Sequence, residues 1–311
     1  MRNVNMPTDR DFERARVAVR QHLRPTPLLS LPGNRWLKLE SQQPSGAFKV
    51  RGAIAALSRL PKGTRIVTAS AGNHAIGVAW AAANLGHQAT IVVPANASPR
   101  KLDILHDMGA NVVPIGESYD DAEAHALELA SQGLMYISPY NDPHVIAGQG
   151  TIIDELLPEF EGDFAIVVPV GGGGLISGIA MRAAAIRDRT IHVIGVEAAA
   201  SLAVSTAVAA GHVVQVEVED TLADGLAGNL EPGSITVEIL AKLNPTFMSV
   251  EESEIIAAIR RLYHEHDLVV EGAAATSFAG MQAIRMDMPV VALVTGRNIA
   301  RDVLAGIVGG K

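Results

Sequence analysis

Short apolar runs alternate along the chain with stretches whose apolar residues recur at helical spacing. In the first half of the chain, the stretches with helical spacing predict helices over 73–86, 98–109 and 118–133. Each begins near Asn or Ser and stops at Gly, the residues that commonly cap helix ends. The apolar runs beside them predict four strands: RIVTA (65–69), ATIVVP (89–94), NVVPI (111–115) and LMYIS (134–138).

A second series of the same kind follows. The stretch LISGIAMRAAAIRD (175–188) predicts a helix, and the strands predicted around it are FAIVVPV (164–170), IHVIGVE (191–197) and PVVALVT (289–295). Strands that alternate with helices form parallel sheets through right-handed crossovers. We therefore predict an α/β fold with two open parallel-sheet domains that carry helices on both faces.

Two turn-rich segments predict where the chain crosses between these domains. They are LPKGT (60–64) and SPYNDP (138–143), and they bracket the first series of strands. The sequence thus predicts a small inserted α/β domain at 65–143 and a large domain built from 1–60 and 144–311.

Composition narrows the class of protein. The chain has 311 residues, of which 48% are hydrophobic and 19% charged, so it can bury a large core. Its 25 basic and 33 acidic residues give a net charge of −8, whereas nucleic-acid or membrane-surface binding favours a basic excess. We find no secretory signal, no bilayer-length apolar run and no cysteine. A cytoplasmic protein without disulfides or cysteine-bound metal is expected.

The run VPVGGGGLISGIA (168–180) places four glycines between a strand and a helix. Glycines allow backbone N–H groups to crowd an anion, and the positive end of the helix adds to the attraction. A phosphate site is the favoured interpretation over a flexible turn. Gly178 and Glu197 keep a nicotinamide dinucleotide as a minor alternative.

A second strand-to-helix junction, TASAGNHAIG (68–77), groups polar donors. Ser70, Gly72, Asn73 and His74 could together receive a substrate carboxylate, and an ordinary helix cap is the equal alternative. The histidines of YHEHDL (263–268) are two residues apart, so they would point apart on a helix. That segment is interpreted as a solvated helix end and not as a metal site.

Lys49 lies in PSGAFKVRGA (44–53), just after a Ser-Gly-Ala turn. A surface lysine would only solvate a helix face, whereas a lysine that forms a covalent adduct needs a partly apolar pocket. The decapeptide alone leaves both interpretations open. Small residues in EGAAA (271–275) and VTGRNIA (294–300) permit the close approach of a flat ligand, to which Thr295 offers a hydroxyl.

These segments together resemble one family. Across nearly its whole length the chain resembles the pyridoxal-phosphate-dependent serine/threonine dehydratases of fold type II. The resemblance implies pyridoxal 5′-phosphate as cofactor, an amino acid as substrate and a homodimer or homotetramer. It rests on the ordered motifs Ser-Gly-Ala-Phe-Lys-x-Arg-Gly-Ala, Ser-Ala-Gly-Asn-His, Gly-Gly-Gly-Gly-Leu, Ala-Asp-Gly-Leu, Glu-Gly-Ala and Thr-Gly-x-Asn.

The resemblance also implies site residues. Lys49 would bind the cofactor covalently and, once freed by the substrate amine, act as the base, with Phe48 packed beside the cofactor. Thr295 would face the pyridine nitrogen and Asn73 the ring hydroxyl. The phosphate would be held by Gly171, Gly172, Gly173, Gly174 and the helix after Leu175, and the substrate carboxylate by Ser70, Ala71, Gly72, Asn73 and His74.

The activity implied is that of an ammonia-lyase that eliminates water from a β-hydroxy amino acid, threonine or serine by default, to give a 2-oxo acid and ammonia. Alternatives are a dehydratase for 3-hydroxyaspartate or another modified hydroxy amino acid. A racemase, a β-replacement enzyme and a cofactor-binding sensor without turnover are less favoured. The segment after TGRNIA is too short for a C-terminal regulatory domain, so isoleucine feedback is not expected.

Three departures from the family pattern refine these expectations. Ala71 replaces the second serine of family racemases, which disfavours racemisation. Ala203 stands about where metal-activated members have an acidic ligand beside the match to Glu197, so no divalent metal is expected. Arg297 replaces the glycine of Ser-Gly-Gly-Asn; it either forms only a surface ion pair, the commoner fate of an arginine, or recognises an extra acidic group on the substrate.

Overall fold

A computed structural model describes residues 4–97 and 99–309. In this part of the chain the helices are α1 (Asp9–His22), α2 (Lys49–Leu57), α3 (Asn73–Leu85), α4 (Pro99–Asp107), α5 (Tyr119–Ser131), α6 (Pro143–Leu156), α7 (Gly174–Ala184), α8 (Ala203–Ala210), α9 (Ile235–Leu243), α10 (Glu252–His266), α11 (Gly272–Ala283) and α12 (Arg301–Gly309). The strands are β1 (Leu28–Leu31), β2 (Arg35–Lys38), β3 (Arg65–Ala69), β4 (Gln88–Val93), β5 (Asn111–Pro114), β6 (Met135–Tyr136), β7 (Phe164–Pro169), β8 (Ile191–Ala198), β9 (Thr246–Val250) and β10 (Val290–Leu293).

The strands form two sheets, a larger one in the order β1-β2-β10-β7-β8-β9 and a smaller one in the order β5-β4-β3-β6. All strand pairs run parallel except β1 with β2. The predicted α/β class with parallel sheets is confirmed. All strands of the small sheet fall inside 65–143; the division of the chain into two domains stays a prediction.

The antiparallel edge of the large sheet departs from the all-parallel expectation. β1 and β2 pair from Leu28↔Lys38 to Leu31↔Arg35. The connecting turn contains Gly33 and Asn34 with φ of 76° and 57°, the left-handed region that Gly and Asn tolerate. A short connection of this kind joins antiparallel strands, whereas parallel strands need a crossover.

Helices cover both faces of each sheet because the strand side chains alternate between faces. In the large sheet Ala165 and Val167 pack with α10 and α11, whereas Ile166 and Val168 pack with α6 and α7. In the small sheet Ile66, Ile91 and Val93 pack with α2 and α3, and Val67, Ala69 and Val92 pack with α5. These buried cores hold the ends of the strands in fixed positions.

The caps of the predicted helices are partly as expected. Ser118 begins α5 with a capping box to Asp121, and Gly86 ends α3 in the left-handed conformation. Gly72 stands at the N-cap of α3, where no side chain caps the helix. The predicted start of α4 at Ser98 lies outside the described residues.

Among residues 4–97 and 99–309, no helix combines the length and the apolar character needed to cross a membrane.

Candidate active site

A cavity of about 1170 Å³ lies where the carboxyl ends of both sheets meet. Residues 70–74 follow β3, residues 171–174 follow β7 and residues 295–300 follow β10, and all three segments line it. In open α/β folds, ligands bind in crevices at the carboxyl ends of strands. The motifs singled out in the sequence therefore come together around one cavity, although residues 70 and 295 are distant in the chain.

Lys49 is the first residue of α2, and its side chain faces this cavity. Its ammonium donates a hydrogen bond to the carbonyl of Pro139 at 2.9 Å and lies 5.3 Å from the centre of the Phe48 ring. Burial lowers the pKa of Lys49 to about 8, although the carboxylate of Glu271 works in the opposite direction. A lysine amine of this kind is available as a nucleophile and base near neutral pH.

The glycine loop, residues 171–174, lies too close to its neighbours to carry side chains. A β-carbon at Gly172 would lie 2.4 Å from the ring of Tyr140, and one at Gly171 would lie 3.0 Å from the Cα of Leu226. Gly173 is the N-cap of α7 with φ of 81°, which favours glycine. The loop therefore offers bare backbone N–H groups at a helix N-terminus, an arrangement that favours the binding of an anion such as phosphate. Leu175 is buried in the first turn of α7.

A polar network joins the start of α3 to the segments after β10 and before α11. The amide nitrogen of Asn73 donates to Glu271 at 2.7 Å, and its oxygen accepts from Asn298 at 2.7 Å. Asn298 also donates to the carbonyl of Ser45 at 3.1 Å. Asn73, Asn298 and Glu271 all line the cavity. This network fixes the orientation of the Asn73 side chain at the cavity wall.

The start of α3 presents backbone donors to the cavity. The hydroxyl of Ser70 accepts from the N–H of Gly72 at 3.1 Å, and Ala71 lies between them on the cavity wall. His74 is 3% exposed, and its Nε2 lies 3.0 Å from the Thr68 hydroxyl. Burial and the neighbouring Lys49 lower the pKa of His74 to about 3, so its imidazole is neutral. A carboxylate would meet the N–H groups of this helix end and not a charged histidine.

Two further predicted residues line the cavity from the segment after β10. Thr295 is buried, and its carbonyl accepts the N–H of Phe48 at 3.0 Å. Arg297 is exposed, and its N–H donates to the carbonyl of Gly46 at 3.0 Å. These two backbone bonds and the bridge between Ala47 and Gly296 bring the Lys49 segment against the segment after β10.

A buried ion network beneath Lys49 was not foreseen from the sequence. Arg51 is fully buried and holds Glu40 at 2.7 and 2.8 Å and Glu155 at 2.7 Å. Glu155 in turn accepts from Lys38 at 2.6 Å. Burial opposes the ionisation of Glu40, but Arg51, Lys38 and the Thr26 hydroxyl together outweigh it and lower the pKa of Glu40 below its usual value. The network links the beginning of α2 to β2 and α6. Because Glu155 is distant in the chain from Lys38 and Arg51, no contiguous motif indicated this network.

One wall of the cavity is acidic, which the sequence reasoning also missed. Glu123 accepts the hydroxyls of Tyr119 at 3.2 Å and Tyr136 at 2.7 Å. Burial and the carboxylate of Glu123 raise the pKa of Tyr119 above its usual value. Asp120 and Asp224 line the same cavity. The only sequence signal was the SYDD start of α5, which was used there as a helix cap.

The Glu197 carboxylate acts as a helix cap in this structure. It accepts the N–H groups of Val204 at 2.9 Å and Ser205 at 3.3 Å, at the start of α8. Burial raises the pKa of Glu197. Over residues 4–97 and 99–309, no group of three or more His, Cys, Asp or Glu residues is placed to hold a metal ion. His264 and His266 lie at the C-terminal end of α10, as predicted.

Pyridoxal 5′-phosphate fits the residues that line the cavity. Residues 171–174 line the cavity at the N-terminus of α7, where backbone N–H groups can hold a phosphate, and the Tyr140 ring leaves no space for a side chain at Gly172. Lys49, with its lowered pKa, and Thr295 line the same cavity. A reactive lysine facing a phosphate-binding loop is the arrangement that enzymes need to hold this cofactor covalently.

Comparison with known proteins agrees with this class. The model of the family described as "Pyridoxal-phosphate dependent enzyme" matches residues 19–296. The L-threonine ammonia-lyase of Geobacter sulfurreducens is 41% identical over 273 residues, which is 85% of this chain and 67% of that protein. The catabolic L-threonine dehydratase TdcB of Staphylococcus aureus is 35% identical over 316 residues, 96% of this chain and 91% of that protein.

Solved structures show the same relationship. The processed form of threonine deaminase isoform 2 from Solanum lycopersicum matches with a TM-score of 0.88 and 32% identity, over 99% of this chain and 90% of that one. Serine racemase from Dictyostelium discoideum matches with a TM-score of 0.85 and 28% identity, over 94% of this chain and 99% of that one. The chain therefore belongs to the pyridoxal-phosphate dependent enzyme family. The predictions of this family, of its cofactor and of a carbon–nitrogen lyase are confirmed.

Proposed function

We propose that this protein is an L-threonine ammonia-lyase that also accepts L-serine. The observation that carries the proposal is the position of the Lys49 amine, with its pKa lowered to about 8, in a cavity shared by the glycine loop and the start of α3. The relatives named as threonine ammonia-lyases and dehydratases support threonine as the substrate. In the overall reaction threonine gives 2-oxobutanoate and ammonia, because the water lost by elimination is regained by hydrolysis.

When bound, the cofactor supplies an electron sink for the breaking of a bond at the substrate Cα. The residues of the chain orient the substrate and move its proton. The N–H groups of Asn73 and His74 at the start of α3, with the hydroxyl of Ser70, hold the substrate carboxylate, because the N–H of Gly72 is already bonded to Ser70. The Lys49 amine, once free, removes the Cα proton; the Cβ–O bond then breaks, and the leaving hydroxyl takes up a proton and departs as water. The imidazole of His74 is neutral, so it places no positive charge beside the substrate carboxylate.

A substrate panel tests the proposal. The purified protein, loaded with pyridoxal 5′-phosphate, is given threonine, serine and 3-hydroxyaspartate in turn, and 2-oxo acid and ammonia are measured. We expect the highest kcat/KM for threonine, and Lys49→Ala should lower kcat about 10²–10⁴-fold, as expected for the loss of a general base. Borohydride reduction followed by peptide mapping should place the cofactor on Lys49. A cofactor attached elsewhere, or release of neither product, would refute the proposal.

The second candidate substrate is 3-hydroxyaspartate, and the position of Arg297 favours it. Arg297 is exposed at the cavity, where its guanidinium can meet a second carboxylate. The same cavity is also lined by acidic residues, Asp120, Glu123 and Asp224. Their carboxylates would repel the second carboxylate of the substrate wherever it does not meet Arg297. Arg297→Gly should lower kcat/KM for 3-hydroxyaspartate relative to threonine about 10-fold or more, and Arg297→Lys should retain part of it. An unchanged ratio would remove Arg297 from substrate selection.

The racemase and sensor alternatives receive less support. Ala71 carries no group that could move a proton, which argues against racemisation although serine racemases are among the structural neighbours. A lysine with a lowered pKa beside an intact glycine loop argues against a sensor without turnover. We also propose a large domain of residues 1–60 and 144–311, a small domain of residues 65–143, a homodimer or homotetramer, and a cytoplasmic location.

A further inference from the structure

Tyr140 stands where the chain passes from the small sheet to the large one, in the segment between β6 and α6. We propose that Tyr140 is a positioning residue that sets the backbone of the glycine loop for phosphate binding. It also ties this loop to residues 224–232, the covering segment, which lines the cavity. The inference rests on the proposed function, because it takes the glycine loop as the phosphate site. No role for this residue came from the sequence motifs.

The ring of Tyr140 forms one side of the glycine loop. A β-carbon at Gly172 would lie 2.4 Å from the ring, and one at Gly174 would lie 2.8 Å from the Cα of Tyr140. On the other side, a β-carbon at Gly171 would lie 3.0 Å from Leu226. A glycine loop has no side chains to hold its own conformation, so close contacts with its neighbours have to fix its N–H directions. The Tyr140 ring supplies one of these contacts.

The carbonyl side of the loop is held as well. The hydroxyl of Thr236 donates to the carbonyl of Gly172 at 3.1 Å. With Gly172 held by Thr236 and by the Tyr140 ring, its peptide groups have little freedom to rotate. A loop that is ordered before binding loses less entropy when it takes up a phosphate. Removal of the ring should therefore weaken binding of the phosphate and leave the rest of the cofactor site in place.

The hydroxyl of Tyr140 makes a separate connection. It accepts the N–H of Glu231 at 2.8 Å, and the amide oxygen of Asn141 accepts the N–H of Ile235 at 3.0 Å. Residues 224–232 line the cavity, and Leu226 of this segment packs on Gly171. Tyr140 therefore contacts the loop with its ring and the covering segment with its hydroxyl. Loss of the hydroxyl alone should loosen the covering segment and affect the substrate more than the cofactor.

Two ligands and four variants test the inference. Dissociation constants are measured for pyridoxal 5′-phosphate and for pyridoxal, which lacks the phosphate, by absorbance titration of the cofactor-free full chain. Tyr140→Ala should weaken pyridoxal 5′-phosphate about 10- to 100-fold and pyridoxal by less than about 3-fold. Tyr140→Phe should bind both ligands within about 3-fold of the parent, while its KM for threonine rises about 5-fold at a nearly unchanged kcat.

Tyr136→Phe is the control for loss of a tyrosine hydroxyl, because the Tyr136 hydroxyl donates to the Glu123 carboxylate and Tyr136 lies on β6, outside the cavity lining. It should leave both dissociation constants unchanged. Tyr140→Leu, which fills more of the space, repeats the ligand test if Tyr140→Ala does not fold.

Equal losses for the two ligands would indicate a general defect and overturn the inference, as would unchanged binding by Tyr140→Ala. A large fall in kcat for Tyr140→Phe would make the hydroxyl catalytic and overturn it too. A parent protein that fails to attach the cofactor to Lys49 would instead refute the proposed function.

Discussion

The lysine at position 49 illustrates how two opposing effects set one residue's chemistry. Burial disfavours the ammonium and lowers its pKa, whereas the negative charge of Glu271 favours the ammonium. Burial wins, and the pKa of Lys49 falls from 10.5 to about 8. A substantial fraction of the amine is therefore neutral just above neutral pH, which an exposed lysine would not provide.

This balance predicts a pH dependence for the attachment of the cofactor. Only the neutral amine is a nucleophile, so the rate at which cofactor-free protein takes up pyridoxal 5′-phosphate should rise with pH through a midpoint near 8. Glu271→Gln removes the charge that favours the ammonium, so the midpoint should move to lower pH. Stopped-flow absorbance at a series of pH values measures the rate of cofactor uptake and so the midpoint. Glu123→Gln, which removes another cavity carboxylate, serves as the control, and an upward shift for Glu271→Gln would contradict the assignment.

Ala71 leads to a prediction about stereochemistry. A serine hydroxyl at this position could return a proton to the substrate, which the alanine methyl group cannot do. Ala71→Ser should therefore raise the conversion of L-serine to D-serine about 10²-fold above the background of the parent, at the lower end of the range for acid–base catalysis. Chiral chromatography of long incubations measures both enantiomers. A variant that forms no more D-serine than the parent would contradict the role assigned to this position.

At the scale of elements, α2 depends on the buried ions beneath it. Removing one partner of a buried ion network leaves the other charges without compensation. Arg51→Met should therefore lower the free energy of unfolding by about 3–5 kcal/mol, because the Glu40 and Glu155 carboxylates stay buried. Urea unfolding measures the loss. The exposed pair Arg261 and Glu265 is the comparison, and Arg261→Met should cost less than about 1 kcal/mol. Similar losses for both variants would refute the argument.

The strands that the sequence predicted well are the central parallel ones. β7 and β10 are buried along their whole length and β8 from Ile194 to Ala198, so both faces are covered there and the sequence is mostly apolar. In the large sheet the edge strands β1 and β9, and β2 beside β1, were missed, whereas both edge strands of the small sheet were predicted. β1 and β9 are mostly half-exposed, and so they lack that signal. β6 is shorter than predicted because only Met135 and Tyr136 pair with β3.

The candidate site was predictable as far as it lies in contiguous motifs. Lys49, the start of α3 and the glycine loop each carry a local pattern that chemistry explains, and the structure brings them to one cavity. Partnerships between distant segments could not be seen. Asn73 and Glu271 are 198 residues apart, and Arg51 and Glu155 meet only because α2 packs on α6. The roles of the individual site residues stay predictions that the variants above test.

At the scale of the whole molecule, the cavity between the sheets links cofactor binding to stability. A ligand that binds only the folded chain stabilises it by RT ln(1 + [L]/Kd), about 2.7 kcal/mol at 100 times Kd. Adding pyridoxal 5′-phosphate to the cofactor-free protein should therefore raise Tm, with a larger increase at higher concentration. Differential scanning fluorimetry measures it. Lys49→Ala should show a smaller increase, and equal increases would mean that the stabilisation does not depend on Lys49.

The order of strands in the large sheet has a consequence for synthesis on the ribosome. The four strands of the small sheet are contiguous in the chain, whereas β10, made near the end, inserts between β2 and β7. While translation proceeds, the small sheet can assemble early, but β2 and β7 each keep an unpaired edge until residue 293 has emerged. Open edges of this kind invite pairing with other nascent chains. The protein's yield should therefore depend on how quickly the codons between β7 and β10 are translated and on the chaperones that shield those edges meanwhile.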